Sequence, residues 1–301
     1  MTAPLLAPSP AGSGEDDLFA TSAVATRRRS SRPRVTVICS ILWIAAVAGS
    51  SLLADLLPLP DPDVDVGHGV RLAPFRELAE PLGTDSLGRS ILTRLIYGAR
   101  VSLFAGIASV TIALALGLVF GVAAGYFRGK VDAAVGIIVD SILSFPGLVL
   151  LIALAATLQP GLSTVIIGLS VLAFPAFARL ARANTLKCSN SEFVLASRGL
   201  GARRLTVVCR EVVPIVFASL TTYAGVVAAT LILAEASLSF LGLGVRPPRP
   251  SWGRMVAENT TFMLQSPSLV FVPGAVLFLT IFAINSIGEW LRSRSDLTSK
   301  L

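Results

Sequence analysis

Six stretches of predominantly apolar residues punctuate this chain, at 35–57, 101–126, 133–158, 163–180, 215–241 and 269–291. About 20 such residues make a helix long enough to cross the hydrocarbon core of a bilayer. A soluble domain cannot hide six of them, because too little polar surface is left to clothe the outside. Composition agrees: 53% of the 301 residues are hydrophobic and 14% are charged, against roughly 25% charged in soluble domains. The fold class is therefore all-α integral membrane, with six transmembrane helices. The first run follows Arg27-Arg28-Arg29, as a signal peptide would. It is too long for such a peptide's apolar core and lacks a clear small-residue cleavage site, so it reads as an uncleaved span.

Six spans put both ends of the chain on one side, and the basic residues choose the side. Arg27, Arg28, Arg29, Arg32, Arg34, Arg128, Lys130, Arg179, Arg182, Lys187, Arg198, Arg203, Arg204, Arg210, Arg292, Arg294 and Lys300 flank one set of span ends. Arg71, Arg76, Arg89, Arg94, Arg100, Arg246, Arg249 and Arg254 flank the other, a split of 17 against 8 among the 25 basic residues. Loops that stay inside retain Lys and Arg, so the first set is cytoplasmic and both termini lie inside. The same rule accounts for the net charge of +7 without invoking a nucleic-acid partner. The chain divides into an extension (1–34), a first span with its outer loop (35–100), a main membrane domain (101–292) with an inner loop at 181–213, and a tail (293–301). The extension is rich in Ala, Pro, Ser and Gly, shows no apolar periodicity and reads as disordered. Trp252 and Tyr97 fall near the span ends, where amphipathic rings collect.

Several chemistries drop out. Cys39, Cys188 and Cys209 have no disulfide-framework spacing, and His68 is the only histidine, so neither a disulfide scaffold nor a zinc set is encoded. The nearest glycine-lysine pair, Gly129-Lys130, is followed by Val131 and preceded five positions earlier by Ala124. It is not a phosphate-binding loop, and if the protein works against a gradient, another chain supplies the energy. An intramembrane hydrolase would need a nucleophile and base, or paired aspartates, which are not apparent.

Within the spans, Gly117, Gly121 and Gly125 recur every four residues and bare one helix face. Such a stripe admits a close neighbour, either in the same subunit or across an interface. Asp55, Asp140 and Glu235 are acidic positions at membrane depth, where ionisable groups take a polar partner or face a cavity. Asp55 lies near the outer end of its run and can reach water. Asp140 precedes Pro146 by six residues, and the proline kinks that span. Asp140, Glu235 and Phe240 are the candidate gate or pathway positions, in either a structural or a pathway role.

The inner loop carries Glu192-Phe-Val-Leu-Ala-Ser-Arg-Gly-Leu-Gly201. Residues 192–197 favour a short amphipathic helix, with Gly199 or Gly201 as its C-terminal cap. The plain interpretation is a linker lying on lipid headgroups. The pattern also resembles the coupling loop of bacterial ABC-importer permeases, in which Glu192, Ala196 and Gly201 match and Ser197 replaces a second alanine. Pro81-Leu-Gly-Thr-Asp-Ser-Leu-Gly-Arg89 with Arg94-Leu-Ile-Tyr-Gly-Ala-Arg100, Glu235-Ala-Ser-Leu-Ser-Phe-Leu-Gly-Leu-Gly244, Pro248-Arg-Pro-Ser-Trp-Gly253 and Asn285-Ser-Ile-Gly-Glu-Trp-Leu-Arg292 resemble the oligopeptide/dipeptide C-type permease subunits. Asp296-Leu297 departs from that family's usual Asp-Pro.

The resemblance implies a type I ABC-importer permease fold in the bacterial inner membrane. It implies a second homologous permease, two cytoplasmic ATPase subunits that hold ATP and magnesium, and an extracytoplasmic peptide-binding protein. This chain would be no enzyme and carry no cofactor, and lipid would surround it. Glu192, Ala196, Ser197, Gly199 and Gly201 would couple to an ATPase. The expected cargo is a dipeptide or oligopeptide, with nickel or glutathione as same-family alternatives.

Overall fold

The computed structural model describes residues 34–159 and 161–298, and their side chains over 35–159 and 161–293. The extension read as disordered lies, Arg34 apart, outside the described residues. Among the described residues regular structure is helical, and one antiparallel bridge joins Thr84 to Ser90.

Helix α1 (Arg34–Leu52) stops five residues short of the end of its apolar run, and a 3-10 turn at Ala54–Leu56 follows. Pro58 and Pro60 then keep the chain from resuming a helix, and turns and bends carry it to α2. Helix α2 (Ile91–Phe127) begins ten residues before the expected boundary at 101. Hydropathy marks where lipid begins, whereas the helix begins at its cap: the Ser90 hydroxyl accepts the Thr93 N–H at 3.4 Å. Its 37 residues extend about 55 Å at 1.5 Å each, well beyond a hydrocarbon core of about 30 Å. Helix α2 is therefore longer than a perpendicular crossing requires.

The expected continuous span at 133–158 is two helices, α3 (Gly129–Leu143) and α4 (Gly147–Thr157), bent by 89°. Pro146 supplies the break, since its ring and missing N–H forbid the helical ladder there. Asp140 thus lies in the last turn of α3. Among the described residues, five helices or helix runs are long and apolar enough to cross a membrane, six if the bent pair is one span. Helix α5 (Leu162–Ser189) runs nine residues past the expected span end at 180, so the inner loop opens as helix. Then come α6 (Glu192–Gly199), α7 (Arg204–Val207), a π turn (Val208–Val212) and α8 (Val213–Phe240). From Arg204 to Phe240 these last three form one helical run of 37 residues. Helix α9 (Trp252–Asn259) caps the outer side, and α10 (Ser268–Thr298) carries on through most of the segment read as a tail.

The glycine stripe packs within the subunit. A methyl at Gly117 would overlap Phe177, one at Gly121 the Ala178 carbonyl and one at Gly125 the Arg182 carbonyl, all on α5. Bare backbone thus lets α2 and α5 meet closely, the way helices associate where lipid leaves no hydrophobic drive between them. Ser109 adds a hydroxyl bond to the Ile166 carbonyl, 3.2 Å. Helix α1 is tied to α10 by the Trp43 indole N–H, which donates to Thr280 Oγ1 at 3.1 Å. Trp252, expected at the lipid interface, is fully buried instead, and its indole donates to the Leu95 carbonyl at 3.0 Å.

The free cysteines offer a test of sidedness. Cys209 is exposed and Cys188 is buried. A membrane-impermeant maleimide is expected to leave Cys209 unmodified in intact cells and to label it in inside-out vesicles, with Cys188 silent until denaturation. Labelling of Cys209 from outside would invert the orientation.

Candidate functional site

At the inner end, α6 is a two-turn helix of 8 residues. Its N-cap, Ser191, donates its hydroxyl to the Cys188 carbonyl (2.5 Å) and so fastens α6 to the end of α5. The C-terminus closes as a Schellman motif. The Ala202 N–H donates to the Ser197 carbonyl at 3.1 Å and the Gly201 N–H to the Arg198 carbonyl at 3.0 Å. This motif needs a left-handed residue at Gly201, where φ is +82°. Of the two glycines suited to the cap, Gly201 takes the role and Gly199 ends the helix.

Only Val194 of α6 is buried. Glu192, Phe193, Leu195, Ala196 and the following Leu200 are exposed, Leu200 at 90%. This short helix therefore turns adjacent apolar side chains outward. Ser197 faces the other way: its hydroxyl donates to Glu211 Oε1 at 2.5 Å. Glu211 sits in the π turn directly ahead of α8, and its second oxygen is buried with no partner among the described residues. The sequence reading missed Glu211, which looks like one more charge in a polar loop. Its only local signal is position, fourteen residues from Ser197 and two before Val213-Pro214.

At the outer end of α8, Glu235 is fully buried. Ser102 of α2 donates to one carboxylate oxygen (2.8 Å) and Ser239 of α8 to the other (2.6 Å). Ser102 in turn accepts the Trp252 N–H at the start of α9, 3.4 Å. Glu235 therefore joins three helices through hydroxyls. Space around it is tight: a methyl on Gly253 would overlap the Ala236 carbonyl, and one on Gly244 would overlap Ser239. Phe240, on the next turn, is 47% exposed. Asp140 is not part of this group; it pairs with Arg179 of α5 at 2.7 Å, both side chains exposed. Arg179 also lines an open groove of about 840 Å³ between α5, α8 and α10, together with Thr222, Tyr223 and Arg292.

The outer lobe holds a second constellation. Arg94 is 1% exposed, and it meets Glu258 Oε2 at 2.8 Å and Asp85 Oδ2 at 3.5 Å. Arg89 bonds the same two carboxylates, at 2.7 Å and 3.0 Å, and Arg254 meets Glu258 Oε1 at 2.6 Å. Asp85 also accepts the backbone N–H groups of Leu87 and Arg89. Burial alone would raise the Glu258 carboxyl, but Arg94, Arg254 and Arg89 outweigh it and hold that group below its ordinary value. The network clamps the loop ahead of α2 to α9. Its motif was visible in the sequence, but its closure by a glutamate 164 residues away was not.

Residues 117–296 match the family described as binding-protein-dependent transport system inner membrane component. The glutathione transport system permease protein GsiD of Pectobacterium atrosepticum is 38% identical over 215 residues, 71% of either chain. Its namesake in Escherichia coli is 40% identical over 214 residues, again 71% of each. Among solved structures, an inward-facing MetNI methionine ABC transporter aligns with a TM-score of 0.56 at 21% identity, over 67% of this chain and 97% of that one. An amino acid ABC transporter aligns at 0.53 and 15% identity, over 67% and 94%.

Proposed function

The chain belongs to the binding-protein-dependent transport inner membrane components and is the permease of an ABC importer rather than an enzyme; from that premise we propose that it imports short peptides, glutathione among them. The relatives' names support glutathione within the peptide class. The permease works with a second homologous permease, two ATPase subunits that hold ATP and magnesium, and an extracytoplasmic peptide-binding protein. Both termini and α6 face the cytoplasm.

The observation that carries the mechanism is the exposed apolar face of α6, set by the Gly201 turn and held to the α8 run by Ser197 and Glu211. Glu192, Ala196 and the exposed side chains around them dock into an ATPase subunit. When the ATPases close on ATP, α6 moves with them, and the Ser197–Glu211 bond passes that movement to α8. At the far end Glu235 braces α8 against α2 and α9, so the outer gate answers the inner one. Phe240 lies at that gate, and the Asp140–Arg179 pair borders the groove on the inner side. The direct test is co-purification: a tagged chain from native membranes brings down ATPase subunits. Recovery of the chain without any ATPase would refute the assignment.

Glu235 has its own test. Gln keeps the shape and one acceptor oxygen, and the serine hydroxyls can turn to suit its amide, so Glu235→Gln is expected to retain uptake within about twofold. Ala leaves Ser102 and Ser239 without their acceptor in a buried site, a cost of about 1–3 kcal/mol for each group left unsatisfied. Glu235→Ala is therefore expected to lower uptake at least about tenfold, while ATP hydrolysis no longer responds to the binding protein. If Gln proved as damaging as Ala, the charge itself would be in use, and Glu235 would be a pathway residue.

A further inference from the structure

Six arginines among the described residues form close ion pairs. Arg89, Arg94, Arg100, Arg179, Arg182 and Arg254 each have a carboxylate within 2.9 Å. Among the arginines with no carboxylate partner in the described residues, Arg128, Arg198 and Arg204 share one groove of about 490 Å³ at the ends of α2 and α5. Arg198 lies over the Tyr126 ring at 4.6 Å, and Arg128 donates to Asn190 Oδ1 at 3.2 Å. Two further polar groups belong to the same groove. Ser189 is 3% exposed and Tyr126 is 9% exposed, both line it, and both hydroxyls are buried with no hydrogen-bond partner among the described residues. Buried hydroxyls ordinarily find a partner.

A simpler account is that the arginines merely neutralise helix carbonyls. The C-termini of α2 and α5 each contribute about half a negative charge, so two of them offset one guanidinium. About two positive charges remain, beside two unsatisfied hydroxyl donors. That combination suits an anion with several acceptor oxygens, and a phosphate diester has them. Location narrows the source. The groove opens where the apolar run of α2 ends, and Phe127, 47% exposed, forms its rim. It thus has an apolar lip and a cationic floor at the depth of headgroups, as basic pockets between spans that hold anionic lipids do.

We propose that this groove binds the phosphodiester headgroup of an anionic phospholipid, with the tails lying along Phe127 and α2. The proposal rests on the permease reading only for which leaflet supplies the lipid, and Cys209 labelling tests that separately. The lipid would sit against Arg198, on the face of α6 beside its closing turn, and would tie the position of the coupling helix to the charge of the membrane.

The test uses the full chain in phosphatidylcholine nanodiscs, with phosphatidylglycerol doped in or inorganic phosphate added, reading the lipid retained by native mass spectrometry and the unfolding midpoint. Phosphatidylglycerol is expected to be enriched over phosphatidylcholine on the protein. Enrichment should fall about fivefold for each arginine lost in Arg128→Gln/Arg204→Gln, and less in Ser189→Ala, with midpoints in phosphatidylcholine alone unchanged. Stabilisation by inorganic phosphate that vanishes in the double variant would uphold the anion site with a soluble source. If the double variant is destabilised, Arg204→Gln, a change at an exposed residue, decides alone. Equal retention of the two lipids, or enrichment undiminished in the variants, overturns the proposal. So does loss of the lipid when ATPase subunits assemble, which would give the groove to a protein carboxylate.

Discussion

Gly201→Asp is expected to leave the protein in the membrane and to lower uptake by more than about a hundredfold. Two effects act at that position, and their sizes differ. A side chain at φ +82° is strained, but aspartate is among the residues that tolerate the left-handed region best, so strain costs about 1–2 kcal/mol. Space within the chain is no obstacle, because a Cβ there would meet nothing within 4 Å. The larger effect is charge. The residue follows exposed Leu200 and closes the helix that exposes Phe193 and Leu195, and docking of that helix would bury an unpaired carboxylate at a cost of several kcal/mol. About 2.8 kcal/mol already equals a hundredfold in affinity. Gly201→Asn separates the two, since it accepts the same backbone without the charge and should keep most uptake. Uptake by Gly201→Asp at the level of the parent, at matched expression, would sink the coupling role of α6.

Arg94→Ala is expected to destabilise the outer lobe by about 3–5 kcal/mol, the usual cost of leaving a buried ion pair half made. Glu258 and Asp85 would each lose a partner that is itself nearly inaccessible to water. The acid response should change in step. The Glu258 carboxyl is held below its ordinary value of 4.5 in the folded chain, so its contribution is complete above that pH. It is lost as the pH falls through the depressed value. The parent should therefore lose stability on acidification below about pH 4.5, and Arg94→Ala should show a shallower dependence because part of the depression is gone. An unfolding midpoint in Arg94→Ala within the error of the parent would show that the clamp does not hold the lobe.

Sequence patterning was most readable where lipid imposes it. Apolar runs located the crossings because every backbone group at that depth must be satisfied within a helix. Boundaries were less readable, for a consistent reason: hydropathy reports the membrane, not the helix. Arg179 and Arg182 look like the start of a loop, yet α5 continues to Ser189 because both side chains find carboxylates on α3. Pro146 was legible as a disturbance, but not as a bend of 89°, whose size depends on how α4 packs against α5. The α6 segment could be placed as a short helix from its residues, and its cap was narrowed to two glycines. The tether to Glu211, the three-helix junction at Glu235 and the closure of Arg94 by Glu258 are tertiary pairings between distant residues. A single sequence contains no information on which carboxylate meets which donor.

The continuous run from Arg204 to Phe240 makes the protein a lever as well as a wall. Glu235 lies 31 residues from the inner end of that run, about 46 Å along its axis. A tilt of only about 5° about the inner end would carry Glu235 sideways by about 4 Å on that length. That exceeds the 2.8 Å bond to Ser102, so the junction must either travel as a unit with α2 or let go. Under the proposed coupling, rotations below that break point would leave the Glu235 junction intact, and slightly larger ones would release it.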